Sequence, residues 1–464
     1  MNNFWDYEVW GFFILVSVLL LAIITANSLK RMIKPLRDSL IPSSVLGGII
    51  LLLFSVFYKQ ISGSDFFDAN YFNRSGNNTL EAITYHSLAL GFIATAFKSS
   101  NARFSKERMS EIFNTGITTV STYLLQGILG LAISIITFLI VPSFFSASGL
   151  LLPFGFGQGT GQALNYGGIY ENDFGFIGGK SFGLSIAALG FLSASIGGVI
   201  YLNILKYKGV IKKSSAKTAT ILSEEIQGMN EIPMQESMDK ITVQFAFVTT
   251  AYLMTYLVMV FLGSLLPGMK SVIFGFNFLL GVIVATIFRS VVIKLTAMNI
   301  IHRNYINNFL MTRLSNFFFD LMVVAGVAAI RVHVLQSYWI VLIAMAAAGL
   351  IATFVYNHFV AGILFPKYRR EQFLMMYGML TGTASTGIIL LREVDYKFET
   401  PAADNMVYQN FPAIVFGFPL MFLATMAPVK PVLTLVILII FFIIMNIILF
   451  RQKIFRTRSG ISRH

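Results

Sequence analysis

The stretch LPFGFGQGTGQALNYGGIY, Leu152–Tyr170, decides how this chain is read. It opens apolar enough to enter a bilayer, then packs six glycines, two glutamines and an asparagine into a length that could otherwise cross one. Non-helical backbone at membrane depth leaves N–H and C=O groups unpaired, at several kcal/mol each, unless protein or water meets them. Buried amides also need partners, and glycine lets a backbone bend and come close to a ligand. The stretch therefore reads as a re-entrant, irregular hairpin rather than a lipid-facing span. A second run of the same character, YGMLTGTASTGIILLRE, occupies Tyr377–Glu393. Gly159-Thr160-Gly161 lies opposite Gly382-Thr383-Ala384, and Leu46-Gly47-Gly48 and Leu280-Gly281-Val282 begin similar runs upstream.

Working outward, the whole chain of 464 residues is 56% hydrophobic and only 12% charged, about half the charge of an ordinary soluble domain. Runs of roughly 20 apolar residues, enough to cross a hydrocarbon core, recur near 10–28, 41–58, 82–97, 113–141 and 176–205. They continue near 241–265, 271–295, 313–331, 338–365, 404–427 and 432–450. This is an all-α polytopic membrane protein of about eleven spans. The net charge of +13 does not point to nucleic acid, because the basic residues lie in short loops where they set topology. Lys30, Arg31, Lys34 and Arg37 follow the first span; Lys98, Arg103, Lys106 and Arg108 the third; Lys206, Lys208, Lys212 and Lys213 the fifth. His302, Arg303 and Arg313, then Lys367, Arg369 and Arg370, then Arg451, Lys453, Arg456 and Arg458 continue the series. The expected orientation puts the N-terminus outside and the C-terminus in the cytoplasm of a cell membrane. The start, MNNFWDYEV, has no basic n-region, so the first run is expected to stay as a span. With no cysteine there is no disulfide, Cys-ligated metal or thiol nucleophile.

The halves match in order as well as count. Residues 1–205 carry five spans with a hairpin at about 150–172; residues 241–427 carry five with a hairpin at about 373–391. A hydrophilic linker, 206–240, joins them, and 428–464 adds a C-terminal span and basic tail. Five is odd, so the second half is inverted in the membrane. Two inverted repeats with interrupted helices near the midplane are the layout of secondary transporters.

The hairpins also supply chemistry. A broken helix presents an N-terminal end with about half a positive charge, suited to a carboxylate. Freed carbonyls and the hydroxyls of Thr160, Thr383, Ser385 and Thr386 offer hard oxygens to a small cation. The expected substrate-binding residues are Gln158, Gly159, Thr160, Gly161, Gln162 and Asn165 of the first hairpin, with Thr383, Ala384, Ser385 and Thr386 of the second. Arg392 offers a forked guanidinium to a carboxylate, against a local salt bridge with Glu393 or Asp395. Asn410 of the tenth span is expected to face the hairpins. Sodium is expected at Thr160, Thr383 and Ser385, with Asp320, an intramembrane charge, as a further ligand. Arg331 lies about 16 Å along the helix from Asp320, too far to pair with it, and Arg289 and Lys294 are expected to snorkel to the surface. His86, His302, His333 and His358 are read at span ends without metal-site spacing.

At these residues the sequence resembles the bacterial glutamate:sodium symporter family. Ile41-Pro42-Ser43-Ser44-Val45-Leu46-Gly47-Gly48 looks like that family's Ile-Pro-x-x-Val-x-Gly-Gly. Gly157-Gln158-Gly159-Thr160-Gly161-Gln162-Ala163 is similar to its Gly-His-Gly-Thr-Gly-Ala-Ala hairpin, and Phe182–Tyr201 with Gly197-Gly198 to its fifth span. The resemblance implies sodium-coupled uptake of glutamate or a similar acidic amino acid. It also implies a mobile transport domain holding both hairpins and a scaffold that forms a homodimer. Gln158 stands where the family often has His, Gln162 replaces a small residue, and the second hairpin matches more loosely.

Rival classes fare less well. A sodium- or proton-coupled carrier of another organic anion or small solute stays open. A channel would carry a repeated carbonyl filter or a charged ring. An enzyme would need a nucleophile–base or metal constellation, an ATP-driven pump a GxxxxGK[ST] run, and the sequence has neither. No cofactor is expected beyond sodium as the coupling ion.

Overall fold

A single apolar run of this length pairs its own backbone groups in lipid only as a helix, and the regular elements of the described residues are all helices. The computed structural model describes residues 3–98, 105–209, 238–395 and 398–459. The basic residues Arg103, Lys212 and Lys213 and most of the 206–240 linker lie outside them. In chain order the helices begin with α1 (Tyr7–Met32), α2 (Lys34–Asp38), α3 (Ser43–Ser62), α4 (Gly76–Phe97) and α5 (Lys106–Ile140). Next come α6 (Leu151–Gln158), α7 (Thr160–Phe174), α8 (Gly179–Tyr207), α9 (Lys240–Leu265), α10 (Lys270–Gly275), α11 (Asn277–Ala297) and α12 (Asn308–Ala328). The last are α13 (Trp339–Leu364), α14 (Arg369–Thr381), α15 (Ala384–Arg392), α16 (Ala402–Tyr408), α17 (Asn410–Met426) and α18 (Pro431–Ser459).

Among the described residues ten helices are long and apolar enough to cross a membrane, or eleven if the bent pair α16–α17 counts as one span. The chain is a multi-pass membrane protein. Three expectations need correction. The run at 404–427 is bent by 51° at Gln409, where Pro412 has no N–H to give to the carbonyl of Tyr408. The run at 271–295 is split at Phe276, and Asn277 restarts it with its Oδ1 taking the N–H of Phe278 at 2.6 Å. Arg331 lies beyond the end of α12, its N–H donating to Ser181 Oγ at 3.1 Å.

The chain forms two compact units, and each draws on both halves of the sequence. The first holds 1–20, 67–103 and 216–326, so α4, α9, α11 and most of α12. Its core joins Ile93, Ala94 and Phe97 to Val248, Ala251, Ala285, Met311, Leu314 and Phe318. Small residues let these helices close up, as lipid-embedded packing requires; a Cβ on Gly281 would stand 2.8 Å from Ile93 Cγ1. Arg289 does not snorkel. Its Nη1 donates to the carbonyls of Ala96 and Lys98 at 3.0 and 2.6 Å, meeting the end of α4, where cations are favoured. His86 stands within α4 rather than at a span end, its Nδ1 2.7 Å from the hydroxyl of Tyr252.

The second unit holds 21–66, 104–215 and 327–464. It contains α3, α5 to α8 and α13 to α18, and with them both Gly/Thr runs. Gly47 of α3 sits against the backbone of Ala22, 3.1 Å from where its Cβ would be. Gly130 of α5 meets Gly149 more closely still, a Cβ there standing 2.1 Å from Gly149 O, so α5, the longest helix, lies flush against the segment that leads into α6.

Candidate functional site

Each Gly/Thr run folds as helix, break and returning helix. α6 ends at Gln158 and α7 starts at Thr160; between them Gly159 holds φ +82°, ψ −171°, a region essentially closed to residues with a Cβ. The two legs fold back on each other. The Phe154 and Tyr166 rings stack with centroids 4.0 Å apart, where a straight helix would separate them by about 18 Å. In the second run α14 ends at Thr381 and α15 starts at Ala384. Here a Cβ on Gly378 would lie 2.8 Å from Gly387 Cα, so these legs also run side by side. Thr383 caps α15, its Oγ1 accepting the N–H of Thr386 at 3.4 Å and lying 3.3 Å from Thr386 Oγ1.

Two helices bring the breaks together. On α8, a Cβ at Gly190 would stand 2.6 Å from Thr381 O and 3.3 Å from Phe156 Cα. On α5, the Tyr123 hydroxyl donates to Gly157 O at 3.0 Å. Three residues on, Gln126 Nε2 donates to Leu380 O at 2.9 Å and to Thr353 Oγ1 at 2.9 Å. Tyrosines anchor the legs further out: Tyr166 and Tyr170 donate to the carbonyls of Met421 and Ala424, and Tyr377 to that of Ser193.

The residues expected from sequence fall into three groups. Gly159, Thr160, Gly161 and Gln162 are buried at the first break, with Gln158 and Asn165 half-buried beside them. Asn165 Nδ2 donates to Gln162 Oε1 at 3.1 Å, while the buried Gln162 Nε2 has no acceptor among the described residues. Thr386 is buried at the second break, Thr383 and Ser385 are half-buried, and Ala384 is exposed. Asn410 reaches this region through its neighbour: Gln409 Nε2 donates to Asn410 Oδ1 at 3.0 Å and lies 3.6 Å from Met379 Sδ of α14. The structure does not bring Arg392 to the break. It is exposed in the last turn of α15, roughly 12 Å from Ala384 along the helix. Its guanidinium lies over the Phe398 ring rather than on either acid, since Glu393 meets Lys206 and Asp395 accepts from Thr400. Asp320 is exposed on α12 in the other unit.

Sequence reading missed the polar face of α5. Asn114, Thr115, Thr118, Thr119, Ser121, Thr122 and Gln126 are all buried on one helix of a membrane protein. It also missed a chain of side chains that runs across the unit. Asn405 Nδ2 donates to Tyr368 Oη at 3.0 Å and to Gln372 Oε1 at 3.2 Å, and Gln372 Nε2 donates to Thr115 Oγ1 at 3.1 Å. Burial pushes the Tyr368 phenol above its ordinary range, so it stays protonated. A glutamine in mid-span, Gln126, was the signal available.

The electrostatics follow from chain direction. At each break one helix ends and another begins, so carbonyls and N–H groups that lack an intrahelical partner stand side by side. The N-terminal turns of α7 and α15 favour an anion; the C-terminal turns of α6 and α14 favour a cation. No family model matches the chain, and no curated protein matches it.

Proposed function

We propose that the protein is a secondary active transporter that takes up glutamate or a similar small acidic amino acid together with sodium. The observation that carries this reading is the pairing of two helix breaks within one unit, with the Gln162 amide buried beside Thr160 and its Nε2 lacking an acceptor among the described residues. A buried donor without a partner costs about 1–3 kcal/mol, and a substrate carboxylate at the start of α7 relieves that cost. The cation is held by neutral oxygens at the same breaks. Sodium completes a pocket whose N–H groups then take the carboxylate.

In this reading the chain is two inverted five-span repeats plus a C-terminal span, with its N-terminus outside and its C-terminus in the cytoplasm. The unit that carries both hairpins is the moving body, and the other unit forms the scaffold of a homodimer. The Gly-His-Gly-Thr-Gly-Ala-Ala resemblance names the cargo. A second reading, a sodium-coupled carrier of another organic anion, is favoured by Gln158 and Gln162, which depart from that motif beside the carboxylate. Uptake of radiolabelled glutamate into proteoliposomes, with and without an inward sodium gradient, tests both. Gradient-driven accumulation supports the proposal, sodium-independent uptake contradicts the coupling, and sodium-driven uptake of other organic anions but not glutamate selects the second reading.

A further inference from the structure

The carbonyl side of the two breaks has a chemistry of its own. α6 and α14 both end there, so two helix C-termini, each with about half a negative charge, converge on one face of α5. Tyr123 and Gln126, three residues apart and so on the same side of α5, each give one hydrogen to one of these ends. Gln126 touches both. Its Nε2 is fixed on Leu380 O and Thr353 Oγ1, which sets the orientation of the amide because a carbonyl can only accept. Its Oε1 is thereby turned to the other hairpin, 3.3 Å from where a Cβ on Gly157 would be. Gln126 is fully buried, and this Oε1 takes no hydrogen from any described residue.

A buried acceptor between two negative helix ends is stabilised by positive charge. The groups that surround it, two carbonyls, an amide and the hydroxyls of Tyr123 and Thr353, are neutral. Among the described residues no three His, Asp or Glu side chains gather. A divalent ion calls for carboxylates, and none of these neutral oxygens binds a proton near neutrality. The fit is to a small monovalent cation.

Resting on the transport reading above, we propose that Gln126 Oε1, with Gly157 O and Leu380 O at the ends of α6 and α14, ligates the coupling sodium. This places the ion on the α5 side of the breaks, opposite in helix polarity to the carboxylate. Thr353 is the positioning residue that aims Gln126.

The test uses the purified full-length protein and radioactive sodium alone, without organic substrate, read as equilibrium binding by scintillation proximity with unlabelled sodium as competitor. Wild type is expected to bind saturably. Gln126→Leu is expected to weaken binding at least about tenfold, the scale of a lost ligand to a charged group. Thr353→Val is expected to weaken it several-fold. Gln126→Glu, at a pH where the carboxylate is ionised, keeps an oxygen and adds charge, so it is expected to tighten binding, although an ionised carboxylate has no hydrogen to give Leu380 O. A merely structural role would make the Glu and Leu variants equally weak, and that result overturns the proposal. So does wild-type affinity in Gln126→Leu, or a loss confined to Thr160→Ala and Thr383→Ala. Gln126-dependent sodium binding without glutamate uptake would contradict the cargo and leave the ion site standing. Sodium-driven uptake unaffected by Gln126→Leu would do the reverse.

Discussion

The two units solve the same problem, polar groups inside a membrane protein, in opposite ways. In the first unit the buried amides are spent on the chain itself. Gln244 donates to Tyr305 O and accepts from the N–H of Asn307, whose own Oδ1 takes the N–H of Leu310. Asn277 donates to Tyr85 O, and Ser315 to Gly91 O. In the second unit five amides stop half-satisfied: Gln126 Oε1, Gln162 Nε2, Asn357 Oδ1, Asn405 Oδ1 and Gln409 Oε1 are buried without a hydrogen-bond partner among the described residues. Arg289 Nε is the one such atom of the first unit among the described residues. Leaving polar groups open costs free energy that packing alone would not tolerate. The difference separates a unit whose buried amides are closed on the chain from one whose buried amides remain open.

Substitutions can break that contrast, and the largest effect is expected at the first break. Gly159→Ala forces a Cβ into φ +82°, ψ −171°, at about 1–3 kcal/mol of strain in the break itself. Uptake into proteoliposomes should be lost while the protein still elutes as a folded species in detergent. Uptake at the wild-type rate would show that the break is not part of the site. Gln162→Leu comes next. It removes a donor to a charged group, about 1.5–3 kcal/mol, so KM for the anion should rise roughly ten- to hundredfold; an unchanged KM would return Gln162 to packing. Thr383→Ala deletes the cap of α15, about 1 kcal/mol, and should raise KM about fivefold. The smallest effect on transport belongs to the first unit. Gln244→Leu leaves Tyr305 O and the N–H of Asn307 unpaired, so Tm should fall by a few degrees with KM unchanged. A KM shift there as large as that of Gln162→Leu would erase the distinction between the units.

The spans were legible because hydropathy over 20 residues needs no tertiary information, and the hairpins because Gly159 and Gly382 interrupt apolar runs. The grouping of helices into units was not. It depends on pairings such as Gln126 with Leu380, more than 250 residues apart. The polar face of α5 hid for a local reason. Thr115, Thr118, Thr119 and Thr122 each return their hydroxyl to the carbonyl four residues back, which makes threonine unremarkable in a membrane helix. Gln126 and Asn357 cannot satisfy both ends of an amide that way. Arg392 misled because charge in an apolar sequence draws attention wherever it falls, and the structure carries it away from the break at the far end of α15.

Coupling through one site has a thermodynamic signature that neither uptake nor binding alone supplies. Glutamate affinity measured at zero and saturating sodium, and sodium affinity measured at zero and saturating glutamate, should change by one common factor. Equal factors well above one are expected for wild type, shrinking together towards one in Gln126→Leu. Affinities for each ligand that ignore the presence of the other would contradict coupling through one site.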